Sequence, residues 1–365
     1  MATQQTILFT RGVPATESFP TETLAEASAA AIAEHGKVVL QYGAASGFQP
    51  LRSWLAQWHD ITPEQVMVSN GSLQLIGLLC LQLLQPGDTV FTEAPSYDRT
   101  ITLLRRSHAN VVGIPLQADG PDLDALEAAL REHSPKFFYT IPDFQNPSGV
   151  VCSAAKRRRI VELAERHNFL ILEDAPYRPL RYRGQDEPSY FELAPERTLH
   201  LSSVSKLISP GMRVGYLLSQ PALITQLSKA AEDTYVSPNY LAQGIAYEWL
   251  RRDHLLAHLE RLKALYSPRL DACLAALDRY LPEAEATRPD GGFFLSLTLP
   301  DGISTTAVRE VAAQRQLVLA DGLAFFPDGN GECFLRLPYC ALSPAEIEDG
   351  VQRLAASVHE VARTR

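Results

Sequence analysis

Residues 199–218 read LHLSSVSKLISPGMRVGYLL and contain two apolar segments on either side of a polar turn. The segments 198–201 and 214–218 each predict a short buried strand. The turn between them presents Lys206 among serine hydroxyls, and Arg213 follows seven residues later. A lysine amine can form a Schiff base with a carbonyl cofactor, while hydroxyls and a guanidinium bind phosphate. The stretch therefore predicts a phosphorylated carbonyl cofactor at a strand end, with an ordinary surface lysine as the alternative.

The sequence before this stretch alternates between strands and helices of about ten residues or more. Strands are predicted at 66–68, 89–93, 111–116, 136–141 and 169–172. Helices are predicted at 22–35, 72–85, 97–106, 123–132 and 153–168. Such alternation indicates an α/β fold, a mostly parallel sheet covered by helices on both faces. Because ligands of these sheets bind beyond the carboxyl ends of the strands, the residues after each strand are the candidate site.

The sequence after this stretch changes to a long helical region and then to an α+β pattern. The helical region covers 239–281, with a break expected near Pro268. Later elements are predicted as strands at 292–299, 317–320 and 333–337, a helix at 305–315, and a last helix opened by a capping box at 343–346. We predict a large cofactor domain at 41–269 and a smaller α+β domain at 270–365. An N-terminal arm and helix at 1–40 is expected to pack with the small domain and the substrate site.

The composition is that of an ordinary globular protein. The net charge of −9 provides no basic field for nucleic acid or anionic lipid. The five cysteines are scattered and never in C-x-x-C spacing, which predicts reduced thiols and neither a disulfide framework nor a zinc site. Residues 1–10 lack the regions of a signal peptide, and the apolar stretch 73–84 is too short to span a bilayer. We therefore expect a cytoplasmic protein without nucleic-acid or membrane partners and without a bound metal.

Residues that follow the first two predicted strands are candidates for binding an anion and an aromatic ring. Gly71, Ser72 and Leu73 begin a helix, where free backbone N–H groups bind anions. An ordinary helix cap explains this motif equally well. Tyr97 follows the second strand and is predicted at the rim of the site, with a core tyrosine as the alternative.

Residues that follow two later strands are candidates for polar contacts to the same ligand. Asn146 precedes a proline and is therefore held extended, so that its amide can point at a ligand, although Asn-Pro also occurs in plain turns. Asp174 ends a buried strand, where a carboxylate needs a partner such as a protonated ring nitrogen or a helix cap. Tyr177 follows three residues later.

Together these residues supply the groups that pyridoxal phosphate requires. Lys206 would bind the cofactor covalently, and Asp174 would keep its ring nitrogen protonated so that the ring can absorb electrons. Asn146 and Tyr177 would contact the ring hydroxyl oxygen, and Tyr97 would stack on the ring. The predicted phosphate ligands are Gly71, Ser72, Leu73, Ser203 and Arg213.

The order of these motifs resembles the fold-type I pyridoxal-phosphate aminotransferases of class I and II. The motifs are N-P-S-G at 146–149, D-A-P-Y at 174–177, S-x-S-K at 203–206 and P-G-x-R-x-G-Y at 210–216. The chain is most similar to the 2-aminoadipate and kynurenine aminotransferase branch, which also supplies the effector domain of MocR-type regulators. This resemblance implies an aspartate aminotransferase-like fold. It also implies ping-pong transfer of an amino group from an L-amino acid to a 2-oxo acid, with 2-oxoglutarate as the expected acceptor.

The resemblance also implies substrate and subunit contacts. Residues 7–20 resemble an arm that covers the substrate, so Gly12 and Asn146 are expected to contact it, and Arg336 would grip its α-carboxylate. Tyr42 would reach the phosphate of a neighbouring subunit, which implies a homodimer with shared active sites.

Three residues depart from the pattern of that branch. Arg11 replaces a usual glycine and adds a positive charge to the expected side-chain pocket. Leu73 replaces a common glutamine and leaves only backbone N–H groups for the phosphate, and Asp321 replaces a frequent proline. None of the three removes a predicted catalytic group.

Other functions fit the sequence less well. Residues 203–206 also spell the S-x-x-K motif of serine acyltransferases, but the chain contains no Lys-Thr-Gly-like tripeptide. A nicotinamide enzyme lacks support because no G-x-G-x-x-G follows a strand. A lyase, decarboxylase or oxidase on the same scaffold stays open, since all use the same lysine, aspartate and arginine. A non-catalytic regulatory module is the remaining alternative, and the sequence disfavours it because it begins directly with the arm.

Overall fold

The computed structural model describes residues 5–300 and 302–364, which form one large sheet, two small sheets and the helices packed around them. The strands are β1 (Ile7–Phe9), β2 (Val66–Ser69), β3 (Thr89–Ala94), β4 (Asn110–Gln117), β5 (Gly120–Pro121), β6 (Pro135–Thr140), β7 (Leu170–Asp174), β8 (Thr198–Ser203), β9 (Gly215–Leu218), β10 (Glu285–Ala286), β11 (Phe294–Thr298), β12 (Leu317–Leu319) and β13 (Phe334–Pro338). The helices are α1 (Thr21–Val39), α2 (Gln49–Trp58), α3 (Ser72–Leu83), α4 (Asp98–Arg106), α5 (Leu123–Glu132), α6 (Ala154–His167), α7 (Tyr190–Leu193), α8 (Pro221–Tyr235), α9 (Tyr240–Arg251), α10 (His254–Tyr280), α11 (Thr305–Gln314) and α12 (Pro344–Arg363).

The large sheet has the strand order β2-β9-β8-β7-β6-β3-β4-β5. The pairs β8–β7, β7–β6, β6–β3 and β3–β4 are parallel, while β2–β9, β9–β8 and β4–β5 are antiparallel. Every residue of β2 and β8 is buried, as expected for strands covered on both faces. The predicted α/β class with a mostly parallel sheet is confirmed.

A second hydrophobic cluster forms around the small antiparallel sheet β10-β11-β13. It includes Leu270 and Leu277 of α10, residues of α11 and α12, and Ile7 and Phe9 of β1. Strand β1 pairs in parallel with β12, so the first described residues complete this smaller unit. Helix α1 packs elsewhere: its Ala27 belongs to the larger cluster around the main sheet. The N-terminal segment therefore connects the two units.

Helix α10 differs from the sequence-based prediction at Pro268. The break expected near Pro268 is wrong, because α10 is continuous through this proline. Tyr266 and Leu270, on either side of it, are fully buried, and this burial holds the helix together despite the missing backbone N–H. The chain instead turns between α9 and α10, where Asp253 has a left-handed backbone with φ +58°.

The last helix begins as the sequence predicts. Ser343 accepts a hydrogen bond from the backbone N–H of Glu346, whose carboxylate accepts one from the Ser343 N–H at 2.9 Å. This reciprocal pair satisfies N–H groups that the first helical turn would otherwise leave free. Among the described residues, no helix is both long and apolar enough to cross a membrane.

Candidate active site

A cavity of about 770 Å³ lies at the carboxyl ends of the parallel strands, between the main sheet and the smaller unit. The predicted residues that line it are Arg11, Gly12, Gly71, Ser72, Leu73, Tyr97, Asn146, Asp174, Tyr177, Ser203, Lys206, Arg213 and Arg336. Tyr42 lies outside this lining and is 79% exposed. The fold thus brings together groups that are spread over most of the chain.

Lys206 follows β8 and reaches into the cavity. Its Nζ donates a hydrogen bond to the backbone oxygen of Gly12 at 2.9 Å. The same atom lies 5.8 Å from the ring centres of Tyr177 and Phe293. Removal from water lowers the pKa of Lys206, because burial disfavours the charged amine. A lysine in this environment gives up its proton more readily and is better suited to act as nucleophile and base.

Asp174 ends β7 and is 4% exposed. Its Oδ2 accepts a hydrogen bond from the hydroxyl of Tyr139 at 2.9 Å. Its Oδ1 is buried and has no hydrogen-bond partner within residues 5–300 and 302–364. Burial raises the pKa of Asp174 to about 6, and the Tyr139 hydroxyl partly offsets this effect. The charged form of this buried carboxylate is therefore destabilised, and a cationic or N–H-bearing ligand would stabilise it.

Arg336 lies on β13 and enters the cavity from the smaller unit. Its Nη1 donates to Asn146 Oδ1 at 2.8 Å, and its Nη2 donates to the backbone oxygen of Thr10 at 2.6 Å. The guanidinium carbon lies over the rings of Phe294 and Phe325, at 5.0 and 4.6 Å from their centres. Its Nε is buried and finds no partner in the described part of the chain. This guanidinium can still donate to a carboxylate.

A second group of lining residues can bind an anion. Helix α3 begins at Ser72, and its N-cap Gly71 has φ +98° and no side chain to accept the first N–H groups. Arg213 also has a left-handed backbone, and its Nη2 donates to the backbone oxygen of Asn70 at 3.3 Å. The φ of +98° at Gly71 favours glycine, and a Cβ added there would come 2.5 Å from that Nη2, so the Arg213 side chain would have to shift. The Ser203 hydroxyl is buried on the same lining.

Comparison with known protein families identifies the family to which this chain belongs. The model of the family "Aminotransferase class I and II" matches residues 5–354, which is nearly the whole chain. The chain belongs to this family.

Two similar sequences and one solved structure show which aminotransferases this chain resembles. Our aminotransferase is 37% identical to the 2-aminoadipate transaminase of Thermus thermophilus, over 96% of this chain and 89% of that protein. It is 34% identical to aromatic-amino-acid aminotransferase 1 of Thermococcus litoralis, over 98% and 89% of the two chains. The crystal structure of the α-aminoadipate aminotransferase of Thermus thermophilus, complexed with N-(5'-phosphopyridoxyl)-L-leucine, superposes with a TM-score of 0.94 at 35% identity, covering 99% of this chain and 94% of that one.

These relationships establish the reaction class and the cofactor. The protein is a transaminase that moves an amino group between an amino acid and a 2-oxo acid and depends on pyridoxal phosphate. The cavity of this chain fits that cofactor. Asp174 Oδ1, which has no partner among the described residues, suits a protonated ring nitrogen, and the start of α3 with Arg213 suits a phosphate. Lys206 lies on the same lining.

Several residues of the site escaped the sequence analysis. Tyr139 is fully buried and fixes Asp174, yet in sequence it is one more aromatic residue of an apolar strand. Its position next to the last residue of β6 was the available signal. The aromatic walls Phe294 and Phe325 and the backbone oxygen of Thr10 depend on how the two units pack, which the local sequence does not encode.

Proposed function

We propose that this transaminase moves the amino group of an L-amino acid to 2-oxoglutarate by a ping-pong mechanism. The observation that supports this proposal most directly is that Lys206 after β8, Asp174 at the end of β7 and Arg336 on β13 line one cavity. A nucleophile, a ring-nitrogen partner and a carboxylate ligand are the minimum set for this chemistry. The choice of 2-oxoglutarate rests on the resemblance to the 2-aminoadipate branch.

The residues of the cavity are proposed to hold the cofactor as follows. Lys206 binds it covalently, Asp174 pairs with its protonated ring nitrogen, and Asn146 and Tyr177 contact its ring oxygen. Tyr97 lies against the ring, and its burial raises its pKa and so keeps its hydroxyl protonated. The proposed phosphate ligands are Gly71, Ser72, Leu73, Ser203 and Arg213. When bound, pyridoxal phosphate supplies an electron sink for the bond broken at the α-carbon of the amino acid.

Lys206 is also proposed as the base. Once its amine is free, the lowered pKa favours the neutral form, which can accept the proton from the α-carbon of the amino acid. In the structure without cofactor, this amine donates a hydrogen bond to the backbone oxygen of Gly12.

Arg336 is proposed to bind the α-carboxylate of both substrates. Its Nε, which has no partner in residues 5–300 and 302–364, and its Nη2, now hydrogen-bonded to the Thr10 oxygen, can form a bidentate pair with a carboxylate. Gly12 and Asn146 are proposed to contact the same substrate. Arg11 is exposed on the lining, which it shares with Asp321, so the proposed side-chain pocket carries both signs of charge.

The assembly is proposed to be a homodimer in the cytoplasm. Tyr42, with 79% of its surface exposed, is free to reach the phosphate of a neighbouring subunit, and Leu40 beside it is 65% exposed. The scattered free cysteines agree with a reducing compartment. We retain the division into a cofactor domain at 41–269 and a small domain at 270–365. The segment 1–40 would give its strand to the small domain and its helix to the large one.

The experiment is a spectroscopic half-reaction. The purified protein is loaded with pyridoxal phosphate and mixed with single L-amino acids in the absence of an acceptor. We expect the visible band of the lysine-bound cofactor to fall with donor amino acids and to return when 2-oxoglutarate is added. A band that never responds would support a regulatory module. Release of ammonium, carbon dioxide or hydrogen peroxide in place of a 2-oxo acid would support a lyase, a decarboxylase or an oxidase.

A further inference from the structure

A buried carboxylate behind the cavity has no part in the proposed chemistry. Glu93, on β3, is 1% exposed and accepts three hydrogen bonds. Thr140 Oγ1 donates to its Oε1 at 2.6 Å, the backbone N–H of Ile141 donates to its Oε2 at 3.1 Å, and Gln145 Nε2 donates to the same Oε2 at 3.0 Å. Burial raises the pKa of Glu93 to about 7, against the effect of these donors. A charge-bearing group kept at this depth needs an explanation.

Gln145 extends this network on both sides. Its Nε2 also donates to the backbone oxygen of Pro95 at 2.7 Å, just beyond the end of β3. Its Oε1 accepts from the backbone N–H and from the hydroxyl of Ser148, at 2.8 and 2.7 Å. The amide of Gln145 thus ties the end of β3 to the loop after β6, in which Asn146 lies between Gln145 and Ser148.

Asn146 is the connection from this network to the cavity. Its Oδ1 accepts the hydrogen bond from Arg336 Nη1 at 2.8 Å. The opposite side of the network ends at Pro95, two residues before Tyr97, whose ring lines the cavity. Displacing the loop would therefore move both the amide and the guanidinium that it orients.

We propose that Glu93 and Gln145 are positioning residues that fix Asn146 and, through it, the guanidinium of Arg336 for the carboxylate of the substrate. This inference rests on the proposed function, in which Arg336 binds that carboxylate. A displaced Arg336 guanidinium binds the substrate and the transition state less tightly by a similar amount, so KM rises more than kcat falls. A purely structural role would lower the melting temperature and leave KM alone.

The variants at Glu93 separate position from charge. Glu93→Gln can keep all three contacts: its amide oxygen accepts from Ile141 and Gln145, and its NH₂ donates to Thr140 Oγ1, which can accept. Glu93→Ala removes the acceptor entirely. Gln145→Met removes the tie to Glu93 and Pro95 at similar volume, and it carries the test if Glu93→Ala does not fold.

The control is a buried carboxylate away from the cavity. Glu248 on α9 is fully buried and bonded to His35 and Arg251, at 3.0 and 2.7 Å, and it is absent from the cavity lining. Glu248→Ala should lower the melting temperature as Glu93→Ala does. Its KM values should equal those of the wild type.

The measurement is steady-state kinetics of each holoenzyme with an amino acid and a 2-oxo acid, together with pyridoxal phosphate affinity. We expect Glu93→Ala and Gln145→Met to raise KM for both substrates about 10-fold or more, with kcat falling less than about 3-fold. Glu93→Gln should stay within about 2-fold of wild type on the same parameters. KM values in Glu93→Ala and Gln145→Met no higher than in Glu248→Ala would overturn the proposal. Failure of the proposed function would look different, because Arg336→Ala would then leave KM unchanged or the wild type itself would lack turnover.

Discussion

Asp174 offers a test in which stability and activity move in opposite directions. Its carboxylate is buried beside Tyr139, and its second oxygen is unpartnered in the described chain. Without cofactor, the negative charge is therefore a cost to the fold above the pH at which it ionises. Asp174→Asn removes the charge, keeps the shape, and leaves an amide oxygen to accept from Tyr139.

The magnitude follows from the pKa of Asp174, which burial raises from 3.8 to about 6. At 1.36 kcal/mol for each pH unit, the charged form costs the folded state about 3 kcal/mol at pH 8. Since the pKa is raised, the cost is absent below pH 3.8, grows between the two values, and is complete above the folded value. It is about half as large at pH 5. The amide NH₂ would have no partner among the described residues, which costs about 1 to 3 kcal/mol, so we expect a net gain of at most about 2 kcal/mol for the cofactor-free variant at pH 8.

The assay is urea unfolding of the cofactor-free proteins at pH 8 and pH 5, followed by cofactor binding and turnover. Asp174→Asn should be more stable than wild type at pH 8, and the difference in stability should shift towards the wild type at pH 5. The variant should nevertheless bind pyridoxal phosphate more weakly and lose most of its turnover. The control is Asp143→Asn, since Asp143 is buried but ion-paired with Arg157 at 2.9 Å, and breaking that pair should destabilise. A variant at Asp174 that is less stable than wild type at pH 8, or that keeps full turnover, would refute the reasoning.

Three further predictions concern the groups around Asp174. Lys206→Ala should lower turnover by about 10⁴-fold or more. The phosphate site should still retain cofactor, which is measured as the cofactor that co-elutes with the protein. Unchanged turnover would show that Lys206 has no part in the mechanism. Arg336→Ala should raise KM for carboxylate substrates about 100-fold, because about 3 kcal/mol of charged hydrogen bonds is lost, and cofactor affinity should not change. A KM equal to that of the wild type would show that another residue binds the carboxylate. Gly71→Ala should lower cofactor affinity, measured by titration, because position 71 has φ +98° and a Cβ there would lie 2.5 Å from Arg213. Gly77→Ala is the control and should not lower it, because the space around a Cβ at this position inside α3 is open.

The part of the site that could be predicted from sequence lies directly after strands. Asp174 and Lys206 could be found because apolar runs mark β7 and β8, and parallel strands place their carboxyl ends at one edge. Arg336 came from the family resemblance, since nothing in its own segment indicates a site.

The part that could not be predicted depends on packing between distant segments. Glu93 and Gln145 are ordinary polar residues in sequence and meet only when β3 and β6 pair. The helix through Pro268 was missed for the same reason, because the burial of Tyr266 and Leu270 outweighs a local rule about proline. Local patterns locate strands and turns, whereas tertiary burial decides which exceptions survive.

The central claim is amino-group transfer through Lys206, and following the nitrogen atom tests it most directly. The holoenzyme is incubated with a ¹⁵N-labelled donor amino acid and unlabelled 2-oxoglutarate, and the products are analysed by mass spectrometry. We expect the label in glutamate, one equivalent for each donor consumed, with none formed by Lys206→Ala. Label released as ammonium, or glutamate labelled equally well by Lys206→Ala, would contradict the account.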